Sequence, residues 1–264
     1  MRPFAFASLL ALASFTLVAG ACNFKLGDDT EGEMGNLRFS YSGTGCFFGC
    51  GLDKKVLQGA TVSVSVSGDS EGGLTGAIED GSAASISTQT ETCTCDSKSG
   101  STSHSRIVQG GVGCESGETK SCSLSIELTA DREGFSKLKV LDGKGAVVDQ
   151  VDITTRMASR LDLSMTADDV AVTPKDGVYT VKSRAQGKIV AKAFDGNGDE
   201  LFFSRNGFAF TYDDPRLINQ GQRDAFLLNS NATTFLSLVA GDSTIHVAAS
   251  NGHAHADARV HFTD

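Results

Sequence analysis

Apolar and polar residues alternate with a period of two along most of the chain beyond residue 37. In "ATVSVSVSG", Val62, Val64 and Val66 fall on one side, and Thr61, Ser63, Ser65 and Ser67 on the other. "CSLSIELTA" repeats the pattern, with Leu124, Ile126 and Leu128 set against Ser123, Ser125 and Glu127. Successive side chains of a strand point to opposite faces, so each segment reads as a strand with one face buried and one in water. "SKLKVLDGKGAVVDQVDITT" reads as two such strands around a glycine turn at 142–145. No long stretch carries an apolar stripe at the 3.6-residue helical period. Prolines stand only at 3, 174 and 215, so glycine, Asp and Asn supply the breaks. The chain is predicted to be all-β.

A second block opens near residue 158. "SRLDLSM", "GVYTVKS", "GKIVAKAFDGNGDEL", "FAFTYDDPRLIN", "DAFLLNS", "TFLSLVAGDSTIHVAAS" and "HAHADARVHFTD" give about seven strands. Seven short strands with turns between them fit an immunoglobulin-type β-sandwich. The first block supplies a similar number plus a long insertion at 91–122. The expectation is two Ig-like β-sandwich domains in tandem, at 37–157 and 158–264.

The segment ahead of them has different chemistry. Arg2 precedes an uncharged, mostly apolar run that closes on Ala19, Gly20 and Ala21. That is the layout of a secretory signal peptide, assigned to 1–21. "AGAC" at its end resembles the lipobox of bacterial lipoproteins, although Ala19 stands where the pattern prefers Leu. The resemblance implies cleavage before Cys22, lipid on its sulfur, and a membrane partner reached through that lipid. Two or more acyl chains hold firmly, at about 0.8 kcal/mol per buried methylene. Residues 22–36 continue as an acidic, glycine-containing segment, expected to be a flexible tether; fourteen residues of coil span roughly 20 Å. Asn23, in place of the aspartate associated with inner-membrane retention, points to the outer membrane.

Removing Cys22 from seven cysteines leaves six: Cys46, Cys50, Cys93, Cys95, Cys114 and Cys122. An even number suits three bridges in an exported protein. Four of them sit in "ETCTCDSKSGSTSHSRIVQGGVGCESGETKSC", a Ser-, Thr- and Gly-rich stretch too polar to order itself by burial. It is expected to be a surface loop pinned by disulfides. Cys93 and Cys95 lie on the same side of an extended chain and are poor partners for each other. "GCFFGC" and "CESGETKSC" could each close locally or bond to the 93/95 pair, and the sequence does not choose. Zinc thiolates and a redox dithiol compete, but neither the paired C-x2-C zinc spacing nor a C-x-x-C appears.

The segment 187–262 resembles the bacterial Ig-like domains of surface and periplasmic proteins. "AKAFDGNGDEL", "FTYDDPRLIN" and "VAGDSTIHVAAS" follow in that family's order, with Phe210 where the family often has Trp. Residues 120–155 resemble the last strands of a similar domain. The likeness implies a sandwich that spaces, displays or binds, and it brings no catalytic residue.

"HAHADARVH" sets His253, His255, Asp257, Arg259 and His261 on one face of a strand. A metal-binding reading takes His253, His255 and Asp257 as ligands, with His246 near the same face; the plainer reading is a polar outer face. "DGNGDE" at 195–200 resembles the start of a calcium loop, but Glu200 and Asn206 stand where Gly and Glu belong, so a hairpin turn is expected. No nucleophile elbow, H-E-x-x-H or phosphate-cradling loop occurs, and no cofactor is implied. Loss of Arg2 takes the net charge from −9 to −10, unsuited to nucleic acid. These features describe a non-catalytic envelope protein with a structural, adhesive or binding role, whose partner would be an envelope protein or a polysaccharide. A periplasmic metal-binding protein is the alternative.

Overall fold

The computed structural model describes residues 29–43, 46–68, 72–99, 102–109, 114–116, 118–214, 219–220 and 231–264. Every regular element among them is a strand. The first unit comprises β1 (Thr30–Glu31), β2 (Arg38–Gly43), β3 (Cys46–Cys50), β4 (Val56–Leu57), β5 (Thr61–Gly68), β6 (Thr75–Ile78), β7 (Ser85–Ser99), β8 (Thr102–Gln109), β9 (Thr119–Thr129), β10 (Gly134–Leu141) and β11 (Val147–Arg156). One sheet runs β1-β2-β5-β9-β7-β8, with β3 also on β2, and the other runs β4-β11-β10-β6. The alternation seen in the sequence decides which faces meet. Val62, Val64, Val66, Leu124, Ile126 and Leu128 are buried, packed with Leu138, Val140 and Ile153 of the facing sheet.

The second unit comprises β12 (Arg160–Ala167), β13 (Val170–Val172), β14 (Val178–Lys182), β15 (Gln186–Phe194), β16 (Phe208–Tyr212), β17 (Asn219–Gln220), β18 (Ala232–Leu236), β19 (Gly241–Ala249) and β20 (His255–Thr263). Its sheets run β13-β12-β15-β18-β17 and β14-β20-β19-β16. Both units share one topology. The order β2-β5-β9-β7 matches β12-β15-β18-β17, and a short early strand pairs parallel with the last one, β4 on β11 and β14 on β20. This is the ABED-against-GFC order of the immunoglobulin sandwich. The fold is two Ig-like β-sandwiches. The signal peptide, Cys22 and the strand expected at "DAFLLNS" lie outside the described residues.

Two expectations are corrected. The tether does not extend to residue 36, because Thr30–Glu31 pair with Phe39 and Arg38. The chain from Met34 to Leu37 then wraps the buried carboxylate of Asp149, which accepts N–H bonds from Met34 (2.9 Å), Asn36 (2.8 Å) and Leu37 (2.8 Å). An acidic, glycine-containing composition resembles a linker, but here a distant aspartate satisfies its backbone. The 91–122 insertion is likewise largely strand, for reasons given below.

Residues 157–159 connect the units, yet the contact between them is extensive. Phe202, from the loop after β15, sits in the first unit's core and stacks on Tyr41 with ring centroids 4.8 Å apart. In return, Leu57 and Ala60 belong to the second unit's core. Backbone bonds lace the joint: Leu57 N–H to the Phe202 carbonyl (2.9 Å), Phe202 N–H to that of Lys55 (2.8 Å), and Ser204 N–H to that of Thr61 (2.9 Å). The "DGNGDE" segment is a turn at this joint. Asp195 accepts the N–H groups of Asn197 and Asp199, and its second oxygen meets Lys55 Nζ at 2.7 Å. Lys55 also pairs with Asp199, so one lysine from the other unit bridges both carboxylates.

Candidate binding surfaces: the stapled hairpin and the histidine face

β7 is fifteen residues long and outruns the sandwich. At about 3.3 Å per residue it extends roughly 45 Å. It pairs with β9 as far as Asp96 against Thr119, while β8 folds back along its other side. The supposed loop is thus a three-stranded extension of the large sheet. It projects from the first unit's end opposite the joint. A polar segment with little to bury gains its order from backbone ladders and covalent links instead.

Three disulfides join Cys46 to Cys50, Cys93 to Cys122, and Cys95 to Cys114. Cys93 and Cys122 are direct cross-strand partners on β7 and β9. Cys95, two residues on, has its sulfur on the same face and takes Cys114 beyond β8. Cys93, Cys95 and Cys122 are buried with Val108, forming a small separate core. Glu118 caps the return: it accepts the Glu115 N–H at 2.8 Å and pairs with Arg106 at 3.1 Å. The backbone bond, aided by Arg106 and opposed by partial desolvation, lowers its pKa. Two donor clusters, Glu91/Cys93/Cys122 and Cys95/Cys114/Glu118, have metal-like proximity. Their sulfurs are already spent in disulfides and offer no thiolate.

Replacing both Cys93 and Cys122 by serine should destabilise the extension by about 3–4 kcal/mol, the chain-entropy value for a loop of some thirty residues. Amide exchange would then rise first in β7 beyond Thr92 and in β8. Unchanged protection there would show that strand pairing alone holds the hairpin.

On the second unit, β20 buries Ala258, Val260 and Phe262 and turns His255, Asp257, Arg259 and His261 to solvent. His246, opposite Asp257 on β19, lies between two carboxylates: Nδ1 is 2.8 Å from Asp257 and Nε2 is 2.7 Å from Asp213. An imidazole serving two carboxylates donates from both nitrogens, so it holds the charged form. Hydrogen bonding to Asp213, then Asp257, pushes its pKa up, and that of Asp213 falls in response. His261 Nδ1 meets Asp242 at 2.6 Å. The face carries exposed cross-strand contacts between imidazoles and carboxylates, His246 with Asp257 and His261 with Asp242. His253 sits in the turn before β20, and His253, His255 and Asp257 do not form a triad of mutually close donors among the described residues. The sequence placed His246 near the same face as Asp257 through strand alternation, and the register of β19 on β20 sets the two opposite each other. Asp213 was not legible, because only the pairing of β16 with β19 brings it there.

No protein-family model matches this chain, and no curated protein does. Solved structures with some likeness include the Yersinia pseudotuberculosis adhesin InvE, at 13% identity and TM-score 0.30, covering 80% of this chain and 56% of that one. The Escherichia coli adhesin FdeC gives 13% identity and TM-score 0.28, covering 90% and 66%. Domains 4 and 5 of the S-layer protein SbsC give 14% identity and TM-score 0.27, covering 52% and 69%. At these values the likeness carries no residue role, and the architecture rests on the strand topology above.

Proposed function

We propose that this is a lipid-anchored envelope protein, held through Cys22 at the outer membrane, with a structural or adhesive role and no catalysis. Its partner is an envelope protein or polysaccharide. The observation that carries the reading is the mechanical build: two sandwiches with exchanged core residues, and a disulfide-stapled sheet extension at the end away from the joint. Such a body holds a surface at a fixed position relative to its anchor. β1 begins at Thr30, close to Cys22 in the chain, so the hairpin-bearing unit lies next to the anchor and the second unit follows it. The histidine face is a polar, solvated surface in this reading, with His246 and His261 engaged by carboxylates.

Intact mass of the native protein, with and without reduction, beside a Cys22→Ala variant, tests the anchor and the compartment together. The expected result is a chain starting at Cys22 with added acyl mass, gaining about two daltons per bridge on reduction. An unlipidated chain with free thiols would overturn the reading.

A further inference from the structure

Strands that end a sheet expose a row of unpaired backbone groups, and soluble proteins keep such strands short or blunt them with lysine, proline, bulges or inward charges. Among the described residues, eight sheet-ending strands follow that rule. β1, β3, β4, β6, β13, β14, β16 and β17 are each two to five residues long. β8 does not: it has eight residues and, among the described residues, pairs only with β7. Its sequence, TSHSRIVQ, holds neither lysine nor proline, and its pairing with β7 shows no register shift. Its single full charge at neutral pH, Arg106, is drawn back to Glu118 and Glu115. Ile107 is 71% exposed, more than any other large apolar side chain among the described residues.

We infer that β8 is an open pairing edge and that its occupant is β8 of a second copy, joined antiparallel so that two large sheets become one. The free donors and acceptors of an extended backbone are complementary to another extended backbone. Any edge strand can meet itself about a two-fold axis, giving a closed dimer. With that axis near Ile107, the two Ile107 side chains come together on one face as a cross-strand apolar pair. Arg106 does not oppose this, because each copy neutralises its own arginine. The disulfides at 93–122 and 95–114 pin β7, the strand on which β8 lies, which reduces the ordering that association costs. This inference is independent of the lipid anchor and of the adhesive role.

Sedimentation equilibrium of the purified, oxidised protein over a concentration series provides the test, with Ile107→Lys and Ser105→Lys on the edge and Val170→Lys as control. Val170 is 68% exposed on β13, a three-residue edge. All three sites are exposed, so circular dichroism should show each variant folded. The expected result is a mass rising from one chain towards two. Both β8 variants should lower the association constant about tenfold or more, Ile107→Lys because the two introduced charges meet across the axis and Ser105→Lys because a charged side chain blunts a pairing edge, while Val170→Lys leaves it unchanged. A one-chain mass at every concentration would overturn the inference. So would a dimer that both β8 variants leave intact, or one that Val170→Lys weakens equally.

Discussion

Phe202→Ala is expected to cost about 3–5 kcal/mol, the range for removing a buried phenylalanine, and to uncouple the two sandwiches. The ring belongs to the chain of one unit and the core of the other, where it stacks on Tyr41. Its removal leaves a cavity beneath Tyr41, whose hydroxyl is buried without a hydrogen-bond partner. The backbone bonds between Lys55, Leu57 and Phe202 would remain but lose the packing that excludes water from them. Scanning calorimetry should therefore resolve two transitions, with the first unit melting earlier. A Lys55→Met variant is the useful comparison, because it removes the ion pair and leaves the ring. A Phe202→Ala protein melting in one step at the parental temperature would show that the joint is held without that ring.

Asp149→Ala should be nearly as damaging, by about 3 kcal/mol or more, given about 1–3 kcal/mol for each buried donor left unsatisfied. Its carboxylate is buried and accepts backbone N–H bonds from Met34, Asn36, Leu37 and Gln150. Burial alone would push its pKa up, but the converging N–H groups outweigh that and hold it below the ordinary carboxylate range. A carboxyl with a lowered folded-state pKa stabilises the fold fully above the unfolded value, about 3.9. That stability is lost as pH falls through the folded pKa. The parent protein should lose stability steeply below about pH 4, and Asp149→Ala should flatten the slope. Denaturant unfolding at stepped pH measures both effects. Equal slopes for parent and variant would mean that other carboxylates set the acid limit. Gly32→Ala gives a separate check, because a Cβ there would lie 2.3 Å from the Asp149 carboxyl. It should disorder the same turn without altering charge.

How much of this was readable beforehand depended on range. The alternation in β5 and β9 identified the buried valines and leucines, and the alanine face of β20, because strand periodicity is local and needs no partner. It also separated Cys93 from Cys95, since residues two apart on a strand share a face. Composition misled where distant groups took part. Residues 29–36 and 91–122 are polar and hold several glycines, yet Asp149 orders the first, and ladders with two disulfides order the second.

The sequence by itself determined the all-β class and the buried faces of β5, β9 and β20, since both follow from short-range pattern. Only the tertiary structure decided that Cys93 bonds Cys122, that Phe202 fills the neighbouring unit's core, that Asp213 reaches His246, and that β8 ends its sheet as a long edge among the described residues. Those outcomes depend on which strands lie side by side. Strand order is set by closing loops of many tens of residues, and no local window of sequence encodes that.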